Sequence, residues 1–280
     1  MAIDRRTFTT RLLLGAGAGI VGFPGTAEAI IAQPARATLL VDQATGKVLH
    51  RSGQCATRFS PCSTFKIPLA LMGYDAGILK DARTPAWDYD PAVHEASRAV
   101  EKQRTDPTSW ELNSVIWYSR EITKRLGAAR FKAYVDRLGY GNRDVSGNPG
   151  KGDGLINAWL MSSLAVSPDE QVAMLRRLLA GKLLSAQACA LTEEILPLFD
   201  GSGGWRVQGK TGSGWLNAPD GHQDRTQPLG WFVGWADKTD GGGKRRVVFA
   251  KLAAGPGLPT PTTGMAMRDD LLASIGRLAG

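Results

Sequence analysis

A mixed α/β fold is what this 280-residue sequence predicts: an antiparallel sheet built from strands near both ends of the chain, flanked by helices, with an all-helical lobe inserted between them. Three observations carry that expectation. Short β-rich runs cluster at residues 38–50 and again at 205–252. The stretch between them is dominated by apolar residues at helical spacing. No internal repeat or low-complexity linker divides the chain, so the two groups of strands are expected to join in one sheet.

Taken in order, the chain opens with Asp4-Arg5-Arg6-Thr7-Phe8, an apolar run over residues 12–23, and Ala27-Glu28-Ala29. A charged start, a short apolar run and a small-x-small site make residues 1–29 a cleaved signal peptide, and the arginine pair points to the twin-arginine type. At about a dozen residues the run is too short to span a bilayer, which takes about 20. Residues 30–280 then form a single catalytic domain, exported to a bacterial periplasm, with no membrane span after processing. Runs 38–42 and 47–50 read as strands joined through the turn signal Gln43-Ala44-Thr45-Gly46. Helical periodicity follows at 108–126, 128–138, 168–179 and 186–195, interrupted by a Gly/Asp/Asn-rich loop at 148–154. Ser167 and Pro168 supply an N-cap and a first-turn proline for the third of these. Three strands (205–211, 230–236 and 246–252) precede a last helix over 265–278, with Asp240-Gly241-Gly242-Gly243 as a hairpin tip. The helical lobe spans roughly 82–200, and the cleft between lobe and sheet is a natural small-molecule site.

Bulk properties narrow the function. The composition, 43% hydrophobic and 21% charged, is that of an ordinary globular protein. The net charge of +8 hardly changes on losing residues 1–29, which hold three arginines and two acids. Lysines and arginines are scattered, and the densest run, Lys244-Arg245-Arg246, sits beside the hairpin tip, so the charge serves solubility and no nucleic-acid partner is expected. Three cysteines (Cys55, Cys62 and Cys189) make no disulfide framework, although a Cys55–Cys62 bridge stays open in an oxidising compartment. Three histidines without ligand spacing point to no metal.

The chemistry lies in Ser60-Pro61-Cys62-Ser63-Thr64-Phe65-Lys66. On a helix, Ser63 and Lys66 fall on one face. A serine needs a base to become a nucleophile, and lysine acts as one only when burial has stripped its proton; Phe65, Ile67 and Leu69 supply the apolar surroundings. Serine and lysine at this spacing occur about once by chance in such a chain. Their companions decide the matter: Ser114-Val115-Ile116 on the helix starting near residue 108, Tyr140-Gly141-Asn142 in a turn, and Lys210-Thr211-Gly212 at a strand end.

With these four clusters in this order, together with segments 158–164 and 230–235, essentially the whole mature chain resembles the class D (oxacillinase-type) serine β-lactamases of the penicillin-recognising enzyme superfamily. The resemblance implies the β-lactamase/transpeptidase-like fold and hydrolysis of penicillin-type antibiotics through a Ser63 acyl-enzyme, a resistance activity. Carbamylated Lys66 (N6-carboxylysine) would be the base for acylation and deacylation, with CO2 or bicarbonate needed to form it and no other cofactor. Trp159 would hydrogen-bond the carbamate, Ser114 would pass a proton to the leaving nitrogen, and Lys210 would supply positive potential. Thr211 and Arg268 would bind the substrate carboxylate beside Gly212, while the Ser63 and Ser213 N–H groups would form the oxyanion hole. Tyr140-Gly141-Asn142 would be a structural turn.

Two departures stand out. Ile116 is one methylene larger than the valine common there, and with Leu160 it would narrow the path of water to the carbamate. Cys62 replaces a common alanine. Two alternatives stay open: a penicillin-binding D,D-peptidase, disfavoured by the apolar third position of Ser114-Val115-Ile116, and a β-lactam sensor domain that acylates but deacylates slowly. The sequence does not fix the oligomeric state or the substrate spectrum.

Overall fold

The structure is a computed structural model that describes residues 34–218, 221–241 and 243–280. The signal peptide expected over residues 1–29 lies outside them. The two groups of strands do join. Strands β1 (Ala35–Asp42), β2 (Val48–Gly53), β3 (Leu198–Gly201), β4 (Trp205–Asn217), β5 (Gln223–Asp240) and β6 (Gly243–Ala254) form one sheet in the order β2-β1-β6-β5-β4-β3. Every pairing is antiparallel, and β1 from the N-terminal group lies directly against β6, Leu39 opposite Ala250.

The alternation of side chains along the strands divides the interior in two. Trp231, Val233 and Trp235 of β5 face the larger core, shared with the helical lobe, whereas Phe232 and Ala236 face a smaller one. The smaller core is closed by a C-terminal helix, Thr263–Leu278, through Met267, Leu271 and Ile275. Helix α1 (Lys66–Asp75) precedes the lobe, which comprises α2 (Pro107–Asn113), α3 (Ile116–Leu126), α4 (Ala128–Leu138), α5 (Gly154–Asn157), α6 (Pro168–Leu179) and α7 (Ala186–Ile195), so that the C-terminal helix is α8. Helix α1 is buried on every side from Lys66 to Tyr74 and forms the axis of the larger core. The capping box at α6 is complete: Ser167 accepts from the Glu170 N–H and Glu170 from the Ser167 N–H.

Three local expectations are corrected. The helix expected over 108–126 is two helices: Ser114 takes a left-handed conformation (φ 57°, ψ 42°) that ends α2, and extended Val115 starts α3. Apolar spacing runs through the break in phase, so periodicity could not reveal it. Ser63 sits in a tight 3₁₀ turn, Cys62–Phe65, that feeds α1. β4, β5 and β6 are longer than the β-rich runs, because their glycine-rich and charged ends continue the ladder, and the four-residue edge strand β3 carried no sequence signal.

Candidate active site

The site forms where the unpaired edge of β4 meets the 3₁₀ turn at the head of α1. β3 pairs only with residues 205–208 of β4 and the Gly209 N–H bonds the Pro197 carbonyl, so the edge beyond Gly209 is left to face that turn. Gly212 is bare there for a reason: a Cβ would stand 2.9 Å from the Pro61 carbonyl oxygen and 3.2 Å from the Thr64 nitrogen. The turn is held from beneath, where Thr64 Oγ1 donates to the Pro61 carbonyl (2.7 Å) and accepts from Gln171 Nε2 (2.9 Å).

One serine ties the turn to the opposite wall. Ser60 Oγ donates to the Trp159 carbonyl (3.1 Å) and accepts from the Met161 N–H (2.9 Å), while its carbonyl accepts from Trp231 Nε1 (2.9 Å). Trp159 thereby lies over α1, its ring stacked on Phe65 at 5.4 Å and 20°. Tyr140-Gly141-Asn142 serves as the expected structural turn: Asn142 Nδ2 donates to Ser163 O and Asn142 Oδ1 accepts from the Ala165 N–H. Among the described residues, four non-glycine residues have positive φ, and Cys62, Ser114 and Met161 are three of them, at the turn, the α2–α3 break and the Trp159 wall. Backbone strain of this kind concentrates where side chains are aimed for function.

Ser63 is partly exposed, while Lys66 is 1% exposed and its Nζ has no hydrogen-bond partner. Trp159 Nε1 is likewise buried without a partner. Burial pulls the Lys66 ammonium down to about 7, with the neighbouring Lys210 charge adding to the effect and Glu111 opposing it. Lys210 Nζ donates to Ser114 Oγ (3.1 Å) and to the Thr211 carbonyl (3.2 Å); burial lowers it to about 8, against the pull of Glu111. Ser114, Lys66 and Lys210 therefore converge, and the left-handed turn is what brings Ser114 to the lysine.

The other expected residues divide. Thr211 is paired with Phe232, which points to the smaller core, so the Thr211 side chain leaves the strand on the α8 side. Ser213 Oγ, on that same side, accepts from the Gly264 N–H at 3.0 Å. Leu160 is partly buried against the larger core. Val115, and not Ile116, is the fully buried member of its motif; Ile116 lines a neighbouring cavity of about 360 Å³ with Glu95, Ser97 and Arg120. The structure does not bring Arg268 in: it bonds Asp269, and its guanidinium lies 5.3 Å from the Phe199 ring, against the sheet face that α8 covers. Cys55, Cys62 and Cys189 form no disulfide with one another, so the Cys55–Cys62 bridge is absent here.

Sequence reasoning missed two groups. Arg98 donates to the carbonyl of Asn113 (2.6 Å) and to Glu101 (2.7 Å), pinning the end of α2 beside Ser114. Glu111 is wholly buried. Its only sequence signal was an acid beside a tryptophan on a short helix. Among the described residues no cluster of His, Cys, Asp or Glu could hold a metal, and no helix is long and apolar enough to cross a membrane.

With this geometry in view, residues 36–266 match the family model of the penicillin binding protein transpeptidase domain. The chain is 42% identical over 246 residues to β-lactamase OXA-9 of Klebsiella pneumoniae, covering 88% of each. It is 34% identical over 220 residues to β-lactamase OXA-1 of Escherichia coli, covering 78% of this chain and 75% of that one. Among solved structures, the class D β-lactamase OXA-427 superposes with a TM-score of 0.78 at 45% identity, over 86% of this chain and 97% of that one.

Proposed function

The chain belongs to the class D serine β-lactamases, and from that premise we propose that it opens penicillin-type β-lactams through an acyl-enzyme on Ser63, with carbamylated Lys66 as the base. One observation carries the finer half of this reading: two buried donors, Lys66 Nζ and Trp159 Nε1, both lack a partner. A buried unpaired donor costs about 1–3 kcal/mol, so two orphaned donors, one on the ring that stacks on Phe65 and one on the next residue along, call for an acceptor. A carbamate on Lys66 is an anionic acceptor that also consumes the free amine. CO2 supplies its carboxyl carbon; the amine needs only to be neutral, which burial arranges near pH 7.

The residues then have defined tasks. Lys66, as the carbamate, takes the Ser63 proton while Oγ bonds to the lactam carbonyl carbon. The Ser63 and Ser213 N–H groups receive the developing oxyanion. As the lactam C–N bond breaks, Ser114 gives its proton to the nitrogen and Lys210, bonded to Ser114 at 3.1 Å, replaces it. Before the second half the proton on Lys66 passes to Lys210 by way of Ser114, restoring both groups; Lys66 then takes a proton from water, the hydroxide attacks the acyl carbon, and Ser63 leaves with that proton returned. Gly212 and the Lys210 charge are what the cleft offers the substrate carboxylate; the Thr211 side chain leaves β4 on the α8 side, where Arg268 bonds Asp269. Residues 1–29 support an exported, periplasmic protein.

The test is turnover of a chromogenic cephalosporin or a penicillin. Activity should rise with bicarbonate and disappear in Lys66→Ala. A stable Ser63 acyl-enzyme without turnover at saturating bicarbonate would refute hydrolysis and fit a sensor domain.

A further inference from the structure

Glu111 is placed where its own helix would not have put it. On α2, Glu111 is fully buried while its neighbour Leu112 is 62% exposed, the reverse of what hydrophobicity alone would select. Neither carboxylate oxygen has a hydrogen-bond partner. A lone carboxylate in a core is costly enough that such groups are either paired or neutralised. Its position in the fold says by what: Ser114, three residues on, bonds Lys210, and Lys66 Nζ is buried and partnerless in the same core.

The charges in this pocket change when Lys66 reacts. With Lys66 a neutral amine, one ammonium (Lys210) balances one carboxylate (Glu111). Carbamylation adds a second anion with no second cation. The C–N bond forms as the amine lone pair enters CO2, a C=O π pair moves onto oxygen, and the N–H proton must leave. We infer that Glu111 is the counter-charge of the CO2-free site and the acceptor of that proton, so that CO2 uptake and Glu111 protonation form one coupled equilibrium. This rests on the carbamate reading of Lys66. Glu111 bonds neither lysine, so it acts through its charge and gains the proton in the same equilibrium, not by a direct bond from the Lys66 amine.

The surroundings agree. Burial raises the Glu111 carboxyl to about 7, with Lys210 and Lys66 pulling the other way. It is thus largely ionised at pH 8 before CO2 arrives, and a new anion nearby would drive it to the acid form. The other titratable groups facing this region are engaged elsewhere. Tyr74 on α1 donates to the Asp81 carbonyl, Glu101 and Arg98 bond each other, and Asp106 caps α2 through Ser109 and pairs with Arg83. From α7, Glu193 pairs with Arg246 and Glu194 is exposed.

Two measurements test this on the intact enzyme. ¹³C NMR with ¹³C-bicarbonate reads carbamate occupancy against pH in wild type and Glu111→Gln. Removing the competing anion should let the carbamate form at roughly tenfold lower bicarbonate and move its acid midpoint down by about one pH unit. An unchanged midpoint and affinity in a folded Glu111→Gln would overturn the inference while leaving the carbamate itself intact. No carbamate resonance in wild type at any pH would instead overturn the reading on which it rests. Infrared difference spectra of wild type at pH 8 give a second readout that does not depend on the folding of Glu111→Gln. A protonated buried carboxyl band should grow with the carbamate, and carbamate without that band refutes Glu111 as the acceptor.

Discussion

Replacing Trp159 by phenylalanine separates the indole N–H from the packing of the ring. The native ring is wholly buried, stacked on Phe65 at 5.4 Å and edge-on to Phe131 at 6.2 Å. A phenyl ring keeps both aromatic neighbours but leaves a cavity the size of the lost pyrrole part, costing about 1–3 kcal/mol. In the CO2-free enzyme the same change removes an unpaired buried donor, which returns about 1–3 kcal/mol. The two nearly cancel, so the melting temperature in CO2-depleted buffer should move by no more than about 2–4 °C, the shift that roughly 1 kcal/mol gives a domain of this size. The carbamylated enzyme has no such compensation. There the lost bond is one to an anion, about 1.5–3 kcal/mol, which is roughly a 10- to 150-fold weaker grip on CO2. Hydrolysis rate against bicarbonate at fixed pH reads that directly. If Trp159→Phe saturates at the same bicarbonate as wild type, the indole holds no carbamate and the pairing of the two orphaned donors is refuted.

Further outcomes follow from the same geometry. Lys210→Gln removes the cation bonded to Ser114 and should lower kcat/KM by roughly 10²–10³; a loss under threefold in steady-state kinetics would contradict its role. Gly212→Ala drives a methyl to 2.9 Å from the Pro61 oxygen and should cost about 1–3 kcal/mol while slowing acylation, read by thermal melts and stopped-flow. Activity at limiting bicarbonate should fall as pH drops through about 7, where Lys66 becomes an ammonium with no lone pair for CO2. The same lowered value sets a stability sign. The unfolded chain holds more protons on Lys66 between about 7 and 10.5, so this burial penalty is complete below that window and fades as pH rises through it. The gain in melting temperature of Lys66→Met over wild type in CO2-free buffer should shrink across that range; a constant gain would show that the penalty is not one of charge.

Much of this was written in the chain. The bounds of α4, α6 and α7 follow from apolar spacing and caps such as Ser167, and the joining of β1 to β6 follows from where the β-rich runs lie. Ser63, Lys66, Ser114 and Lys210 were legible because the chemistry needs those residue types in fixed local company. What escaped depends on the third dimension. The Ser114 break is a single left-handed residue that leaves the helical phase unchanged, and β3 exists only because β4 offers it an edge. Arg268 looked apt for a carboxylate, yet on α8 it bonds its neighbour Asp269 and lies against the Phe199 ring. Glu111 reads as a solvent-facing acid until the fold buries it and exposes Leu112 instead. Local rules tend to fail at functional sites, and here two of the failures, Ser114 and Glu111, stand beside the two lysines.

The central claim is that Lys66 works as a carbamate. Its most direct measurement takes one preparation of the enzyme, stripped of CO2 and then titrated with ¹³C-bicarbonate, and follows penicillin turnover and the carbamate ¹³C resonance in the same samples. Turnover proportional to carbamate occupancy, with both signals lost in Lys66→Ala, is the result predicted. Full turnover in CO2-free enzyme without a carbamate resonance would contradict it.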